Sequence, residues 1–315
     1  MRYALCFPGQ GAQEVGMGKA LYDAFPAARE VFEEADDALS FHMSKLIFEG
    51  PDEQLKLTAN TQPAIMTTSI AALRVLEREM ELTLTPLFGA GHSLGEYTAL
   101  VAAGALSFRD GVTLVQKRGQ WMQDSAPEGV GAMAAILGLK AEEVVEVCQE
   151  VAPEGECQPA NFNSPGQVVI SGLVEYVDEV VKAAKARGAK KAVMLNVSAP
   201  FHSRLMQDAA ERLKKQFDEH HWSAPRWPIV ANATAEPVAT VKDVREALYL
   251  QTFSPVLWEN SVVRMADDGV EAFFELGPGS VLTGLNKRCR KGLTLMAAGT
   301  PETLEGLAEV LRSQS

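Results

Sequence analysis

Apolar positions along the chain alternate between two rhythms. Tyr3 to Phe7 is a short continuous apolar run stopped by Pro8-Gly9, which predicts a buried first strand. Lys19 to Ala38 and Pro63 to Met80 then carry helical spacing, with Ile65, Ala72, Leu73, Val75 and Leu76 on one face of the second. Leu84 to Ala90 predicts another strand, Glu96 to Gly104 a helix of small residues, and Ser107 the cap of a helix reaching Met122. Strands alternating with helices in this way predict an α/β domain with a largely parallel sheet.

The rhythm changes in the middle. Met133 to Leu137 reads as a strand, Ala141 to Val151 as a helix, and Gln158 to Phe162 and Gln167 to Ser171 as strands around Asn163-Ser164-Pro165-Gly166. Val174 to Arg187 reads as a helix and Ala192 to Val197 as a strand. The order β-α-β-β-α-β is the ferredoxin-like split unit, so residues 127–198 are expected to form an inserted subdomain within a main domain of residues 1–126 and 199–315. Afterwards the α/β pattern resumes, with strands at Trp227 to Ala231 and Val270 to Leu276. Helices are expected at Val241 to Leu250, Val256 to Ala266 and Val281 to Leu285.

Composition narrows the class. The chain has 315 residues, 47% hydrophobic and 22% charged, enough for a full core. Its 29 Lys and Arg against 41 Asp and Glu give a net charge of −12, the wrong sign for a nucleic-acid binder. Cys6, Cys148, Cys157 and Cys289 are scattered without metal or disulfide spacing and read as reduced thiols. The opening apolar run is too short for a signal peptide and no stretch approaches a membrane span, so a cytoplasmic protein is expected, with no metal site.

Gly91-His92-Ser93-Leu94-Gly95 is the strongest chemical signal. A serine on a tight strand-to-helix turn, with glycines two residues either side, has the pattern of a nucleophile elbow. Ser93-Leu94-Gly95-Glu96 equally fits a capping box that merely starts a helix. Serine needs a base. Of five histidines, His42 has no partner candidate in sequence, His220 and His221 read as an exposed corner, and the side chain of His92 diverges from its neighbour Ser93. His202, in the loop Ser198-Ala199-Pro200-Phe201-His202-Ser203 where the insert rejoins the main domain, is the candidate base; a satisfied, partly buried histidine is the alternative. Arg118 has Leu114, Val115, Trp121 and Met122 as its helical neighbours and so projects from a core-facing stripe. Such a cation needs an anion, either a structural Asp or Glu or the carboxylate of a ligand held bidentately. The loops Gly9-Gln10-Gly11 and Gly89 to Gly95 miss the dinucleotide fingerprint, since Glu14 stands where a glycine is required and the third glycine of the second comes one residue late.

These segments occur with Thr61-Gln62-Pro63-Ala64, Gln116-Lys117-Arg118-Gly119, Ala160 to Gln167, Pro200-Phe201-His202-Ser203 and Glu275-Leu276-Gly277-Pro278-Gly279. Together they resemble the malonyl-CoA:acyl carrier protein transacylase family and the related acyltransferase domains of fatty-acid and polyketide synthases. The resemblance implies an α/β-hydrolase-like domain with a ferredoxin-like insert, Ser93 as acyl acceptor and His202 as its base. It implies an oxyanion hole from the backbone N–H groups of Gln10 and Leu94, and a main-chain carbonyl at Gln251 orienting His202 in place of an acid. It further implies that Arg118 clamps the malonyl carboxylate, with Phe201 and Met122 completing the acyl site, and that malonyl-CoA is a substrate rather than a bound cofactor.

An acyl carrier protein is the implied partner of a monomeric enzyme, and its acidity points to basic docking clusters at Arg187, Lys190 and Lys191 or at Lys287, Arg288, Arg290 and Lys291. A serine thioesterase, a CoA-binding module without chemistry, and an acyltransferase serving a polyketide synthase or malonate decarboxylation remain the alternative readings of the sequence.

Overall fold

Strand β1 (Tyr3–Phe7) is apolar at every position and buried throughout, which requires a sheet covered on both faces. The computed structural model describes residues 1–127, 129–197 and 199–313; the expected end of the insert at Ser198 lies outside the described residues. The single helix expected after β1 is two, α1 (Lys19–Ala24) and α2 (Pro26–Leu39). Pro26 has no N–H to continue the first helix and its fixed φ suits the first position of a second, so Phe25 between them is extended. Two short helices, α3 (Met43–Glu49) and α4 (Asp52–Leu55), lead to α5 (Thr58–Arg74), which is buried on nearly all sides and ends in a π turn over Val75–Glu79. β2 (Phe88–Gly91) passes directly into α6 (Leu94–Ala102). α7 (Phe108–Asp124) is capped as expected by Ser107, whose Oγ accepts the Asp110 N–H at 3.0 Å.

The second unit comprises β3 (Gly131–Leu137), α8 (Ala141–Val151), β4 (Cys157–Ser164), β5 (Gln167–Leu173), α9 (Val174–Ala186) and β6 (Lys191–Met194). Its antiparallel sheet has the order β4-β5-β3-β6. β6 stops short of the expected Val197 because Val197 N–H turns back onto Leu195 O at 2.9 Å. The chain then adds α10 (Gln207–Phe217), β7 (Ile229–Val230), β8 (Pro237–Val238), α11 (Val241–Phe253), α12 (Trp258–Asp267), β9 (Ala272–Leu276), α13 (Val281–Cys289), β10 (Thr294–Ala298) and α14 (Pro301–Arg312). The larger sheet runs β10-β9-β1-β2-β7-β8, parallel except for the β7–β8 pair. The protein is therefore a mixed α/β structure with one mainly parallel sheet and a small antiparallel one.

Alternate side chains of β1 feed opposite cores. Leu5 and Phe7 pack with α5 and α6, whereas Ala4 and Cys6 pack with Phe88, Trp258 and Phe273. A smaller cluster of Met122, Met133, Ala160, Val169, Phe201 and Met206 joins the two units. Backbone bonds fasten the same seam: Val256 N–H donates to Ala160 O at 2.8 Å and Phe162 N–H to Val256 O at 2.9 Å. The carboxyl ends of β1 and β2 open toward this seam, the place where an open α/β sheet binds ligands.

Candidate active site

Ser93 sits at the turn from β2 into α6 with φ 52° and ψ −107°, a conformation that costs an L-residue about 1–3 kcal/mol. Close approach explains the flanking glycines. A Cβ on Gly91 would lie 2.0 Å from Gly95 C, and one on Gly95 2.0 Å from Phe7 O. The capping box does not form, since the Ser93 side chain makes no cap bond and Glu96 turns elsewhere. Side chains from distant segments grip the strained turn. Asn232 Oδ1 accepts the Ser93 N–H at 2.7 Å, its Nδ2 donates to Gly91 O at 2.7 Å, and Gln251 Nε2 donates to Ser93 O at 2.9 Å.

His202 Nε2 lies 2.7 Å from Ser93 Oγ across 109 positions of sequence. Its other ring nitrogen, Nδ1, is 2.8 Å from the main-chain oxygen of Gln251. A carbonyl only accepts, so Nδ1 carries the proton and Nε2 presents its lone pair to the serine hydroxyl. The carbonyl thus does the orienting that a carboxylate does in a three-membered triad. Burial first, and the Arg118 cation second, push the His202 imidazole down to about 3, so it is neutral at physiological pH. Its backbone φ of 57° is the second left-handed non-glycine conformation at the site.

Arg118 is buried in α7 at 1% exposure. Its NH1 donates to Gln62 Oε1 at 2.8 Å, and its NH2 donates to Gln251 Oε1 at 2.9 Å and to Ser93 Oγ at 3.1 Å. The guanidinium also lies over the Tyr97 ring, 5.2 Å from its centroid. Among the described residues no carboxylate comes within ion-pair distance of it, and its Nε is buried without a hydrogen bond. The structural Asp or Glu considered from the sequence is therefore not a direct partner; two neutral amides stand in its place. Among the described residues the backbone N–H groups of Gln10 and Leu94 donate to no protein acceptor, as expected of Leu94 at the first position of a helix.

These groups line a cleft between the units with about 120 Å³ of free volume, on the order of four waters. Gln10, Gln62, Arg118, Met122 and Phe201 line it from the larger unit, and Met133, Asn161 and Leu195 from the smaller one. The sequence reading brought together Ser93, His202, Arg118, Gln10, Met122, Phe201 and Gln251, and it missed Gln62, Asn161, Asn232 and Glu96. Glu96 alone carried a visible signal, an acid within an apolar helical stretch. His92 lines the cleft but turns to Asn163 Oδ1 at 2.8 Å and packs on Trp258. His220 is no exposed corner, since its side chain is 10% exposed and its Nδ1 lies 3.1 Å from Asp110. Among the described residues no cluster of three or more metal-binding side chains occurs, and no helix is long and apolar enough to cross a membrane.

The arrangement suits an enzyme of the acyltransfer class, with chemistry within reach of a serine hydroxyl. Residues 5–307 match the family described as the acyl transferase domain. The chain is 48% identical over 315 residues, all of this chain and 98% of the relative, to the malonyl CoA-acyl carrier protein transacylase of Bacillus subtilis strain 168. Among solved structures, the acyl-carrier-protein S-malonyltransferase from Bartonella henselae is 46% identical, with a TM-score of 0.97 over 99% of this chain and 100% of that one. A malonyl-transacylase solved in complex with a type II PKS acyl-carrier protein is 41% identical, with a TM-score of 0.95 over 98% and 100%. The chain belongs to the acyl transferase domain family and, within it, to the malonyl CoA-acyl carrier protein transacylases.

Proposed function

We propose that this chain moves a malonyl group from malonyl-CoA to the phosphopantetheine thiol of an acyl carrier protein, for fatty acid biosynthesis, through an ester on Ser93. The observation that carries the reading is one cleft in which a serine hydroxyl lies within hydrogen-bond reach of both a neutral imidazole and a guanidinium. His202 Nε2 takes the hydroxyl proton as Ser93 Oγ attacks the thioester carbon. The oxyanion forms against the N–H groups of Gln10 and Leu94. Collapse breaks the C–S bond, and the thiol of CoA leaves with the proton from His202. The carrier protein's thiol then loses its proton to His202, attacks the ester and departs as malonyl thioester, which regenerates Ser93. Only one methylene separates the carboxylate of a malonyl ester from its carbonyl, so an arginine NH2 3.1 Å from Oγ is within reach of that carboxylate. Phe201 and Met122 close the apolar side of the acyl site.

The same reading takes the larger unit, residues 1–126 and 199–315, as α/β-hydrolase-like and residues 127–198 as a ferredoxin-like insert, supported by the β-α-β-β-α-β order around the antiparallel sheet. It also has the chain act as a monomer in the cytoplasm, with malonyl-CoA as its substrate and no cofactor beyond it. Carrier-protein docking falls to Lys190, Lys191, Lys287 and Lys291, all exposed. Arg187 is engaged by Glu146 and Glu150, Arg290 by Asp267, and Arg288 donates to Gln167. Delivery to a polyketide carrier protein is a second reading, favoured by the similar transacylase solved with a type II PKS acyl-carrier protein. Turnover with a panel of carrier proteins separates the two. Intact-protein mass spectrometry after exposure to malonyl-CoA tests the chemistry: a malonyl adduct is expected on the native chain and absent from Ser93→Ala, and an adduct persisting on that variant overturns Ser93 as acceptor. Rapid CoA release with no acceptor present would instead mark a thioesterase.

A further inference from the structure

α6 buries Leu94, Tyr97, Ala99 and Leu100, and among them, at 1% exposure, the carboxyl of Glu96. A carboxylate in such a place is costly without donors and a countercharge. Its Oε2 accepts the Asn232 N–H at 3.0 Å and Gln251 Nε2 at 2.9 Å. The Gln251 amide has one workable orientation. Its Nε2 faces two acceptors, Ser93 O and Glu96 Oε2, while its Oε1 faces Arg118 NH2. Reversal would set oxygen against oxygens and N–H against N–H. Glu96 is thus one amide away from Arg118, whose other oxygen partners, Gln62 Oε1 and Ser93 Oγ, are also neutral.

We propose that Glu96 is a positioning residue for acyl-group choice: its buried carboxylate, linked to Arg118 through the Gln251 amide, is the internal countercharge that sets how tightly the guanidinium grips the carboxylate of an incoming acyl group. The inference rests on the reading of Arg118 as the acyl clamp. With malonyl bound, two anions share one cation and oppose each other; an acetyl group brings no such competition. Burial pushes the Glu96 carboxyl up to about 7, against the pull of its hydrogen bonds and of Arg118. The other charged or titratable groups around it are Arg118 from α7, Tyr97 from α6, raised to about 12, and His202 and His92 at the mouth, both lowered. Asn232 and Gln251 do not titrate. Between pH 6.5 and 8 Glu96 is therefore the group here that changes charge, and its deprotonation as pH rises loosens the hold on malonyl.

The test is the ratio of kcat/KM for malonyl-CoA to that for acetyl-CoA between pH 6.5 and 8, in the native enzyme, Glu96→Gln, Arg118→Ala and the double variant. Gln keeps an oxygen for both donors and removes the charge. The native ratio is expected to fall as pH rises. Glu96→Gln is expected to raise it about tenfold at pH 8 and flatten its pH dependence, the scale of removing one nearby buried charge, and to do neither in the Arg118→Ala background. A residue that only held the fold would move both substrates together and leave the profile unchanged. If Arg118→Ala collapses the ratio but Glu96→Gln leaves ratio and profile as in the native enzyme, the countercharge is wrong and the clamp stands. If Arg118→Ala leaves the ratio unchanged, both fall. Should Glu96→Gln not fold, a native ratio flat across this pH range overturns the proposal by itself.

Discussion

Replacing Arg118 with Ala removes the one Lys or Arg among the described residues that line the cleft. Four contacts disappear together: the donors to Gln62 Oε1, Gln251 Oε1 and Ser93 Oγ, and the stacking on Tyr97. For malonyl-CoA the loss is that of one partner of a buried charge-assisted pair, about 3–5 kcal/mol, or roughly a hundred- to several-thousand-fold in kcat/KM. Acetyl-CoA has no carboxylate to lose and bears only the looser Gln251 amide, on the order of 1 kcal/mol. The difference, about 2–4 kcal/mol, means that the malonyl-to-acetyl ratio is expected to fall by roughly thirty- to nine-hundredfold. Release of free CoA thiol, followed for each donor with saturating carrier protein, reports it, and unfolding in denaturant shows that the variant is folded. Arg118→Lys should recover only part of the ratio, because an ammonium cannot reach both amides and grip a carboxylate bidentately. A folded Arg118→Ala enzyme whose ratio stays within threefold of native would refute the assignment and make the guanidinium a structural plug.

Other expectations follow from the same geometry. Gly95→Ala sets a Cβ 2.0 Å from Phe7 O, against the backbone of Phe7 and Pro8, and should cost about 3 kcal/mol; an unchanged denaturation midpoint would show that the elbow accommodates a side chain there. His202 is lowered from 6.5 to about 3, so between those values the unfolded chain binds a proton that the folded one refuses, and stability falls with falling pH. His202→Gln should remove about 1.4 kcal/mol per pH unit of that slope below pH 6.5; parallel slopes in the two proteins would contradict it. Charge reversal at Lys190 and Lys191, or at Lys287 and Lys291, should raise the KM for carrier protein while acylation by malonyl-CoA keeps its rate. Equal effects on both half-reactions would place those lysines outside the docking face.

What could be read ahead of the structure follows the range of the interactions involved. The elbow is encoded locally, by two glycines, a serine and an apolar strand, and Arg118 betrayed itself as a cation on an apolar stripe. Helix and strand types along β1, α7, α8, β5 and α9 were legible because their periodicity or caps are strong. The helix over 19–38 was misjudged where Pro26 interrupts it. α10, β10 and α14 went unseen: β10 is a partly exposed edge strand and α10 is mostly polar in sequence, whereas α14 does carry an apolar stripe of Leu304, Leu307, Ala308 and Leu311. Gln251 shows the limit most plainly. Its carbonyl holds His202, its amide oxygen takes Arg118, and its amide nitrogen takes Ser93 and Glu96. The backbone part was available by family resemblance, but the side-chain part depends on four segments meeting in space, which no local pattern records.

That meeting also bears on when the base is strong. The Arg118 cation is the second cause, after burial, of the weak basicity of His202. With the Arg118 cation beside it, the serine is therefore paired with an imidazole poorly able to take its proton, although the hydrogen bond is short at 2.7 Å. A carboxylate placed on Arg118 would neutralise that cation and relieve the electrostatic cause while leaving burial unchanged, so on the proposed mechanism an acyl carboxylate held there also strengthens His202 as the base for Ser93. An acetyl donor brings no carboxylate to Arg118 and meets the weaker base. Discrimination then acts twice, once in binding and once in the proton transfer. The second effect must appear in the acylation rate at saturating donor, where binding differences no longer count.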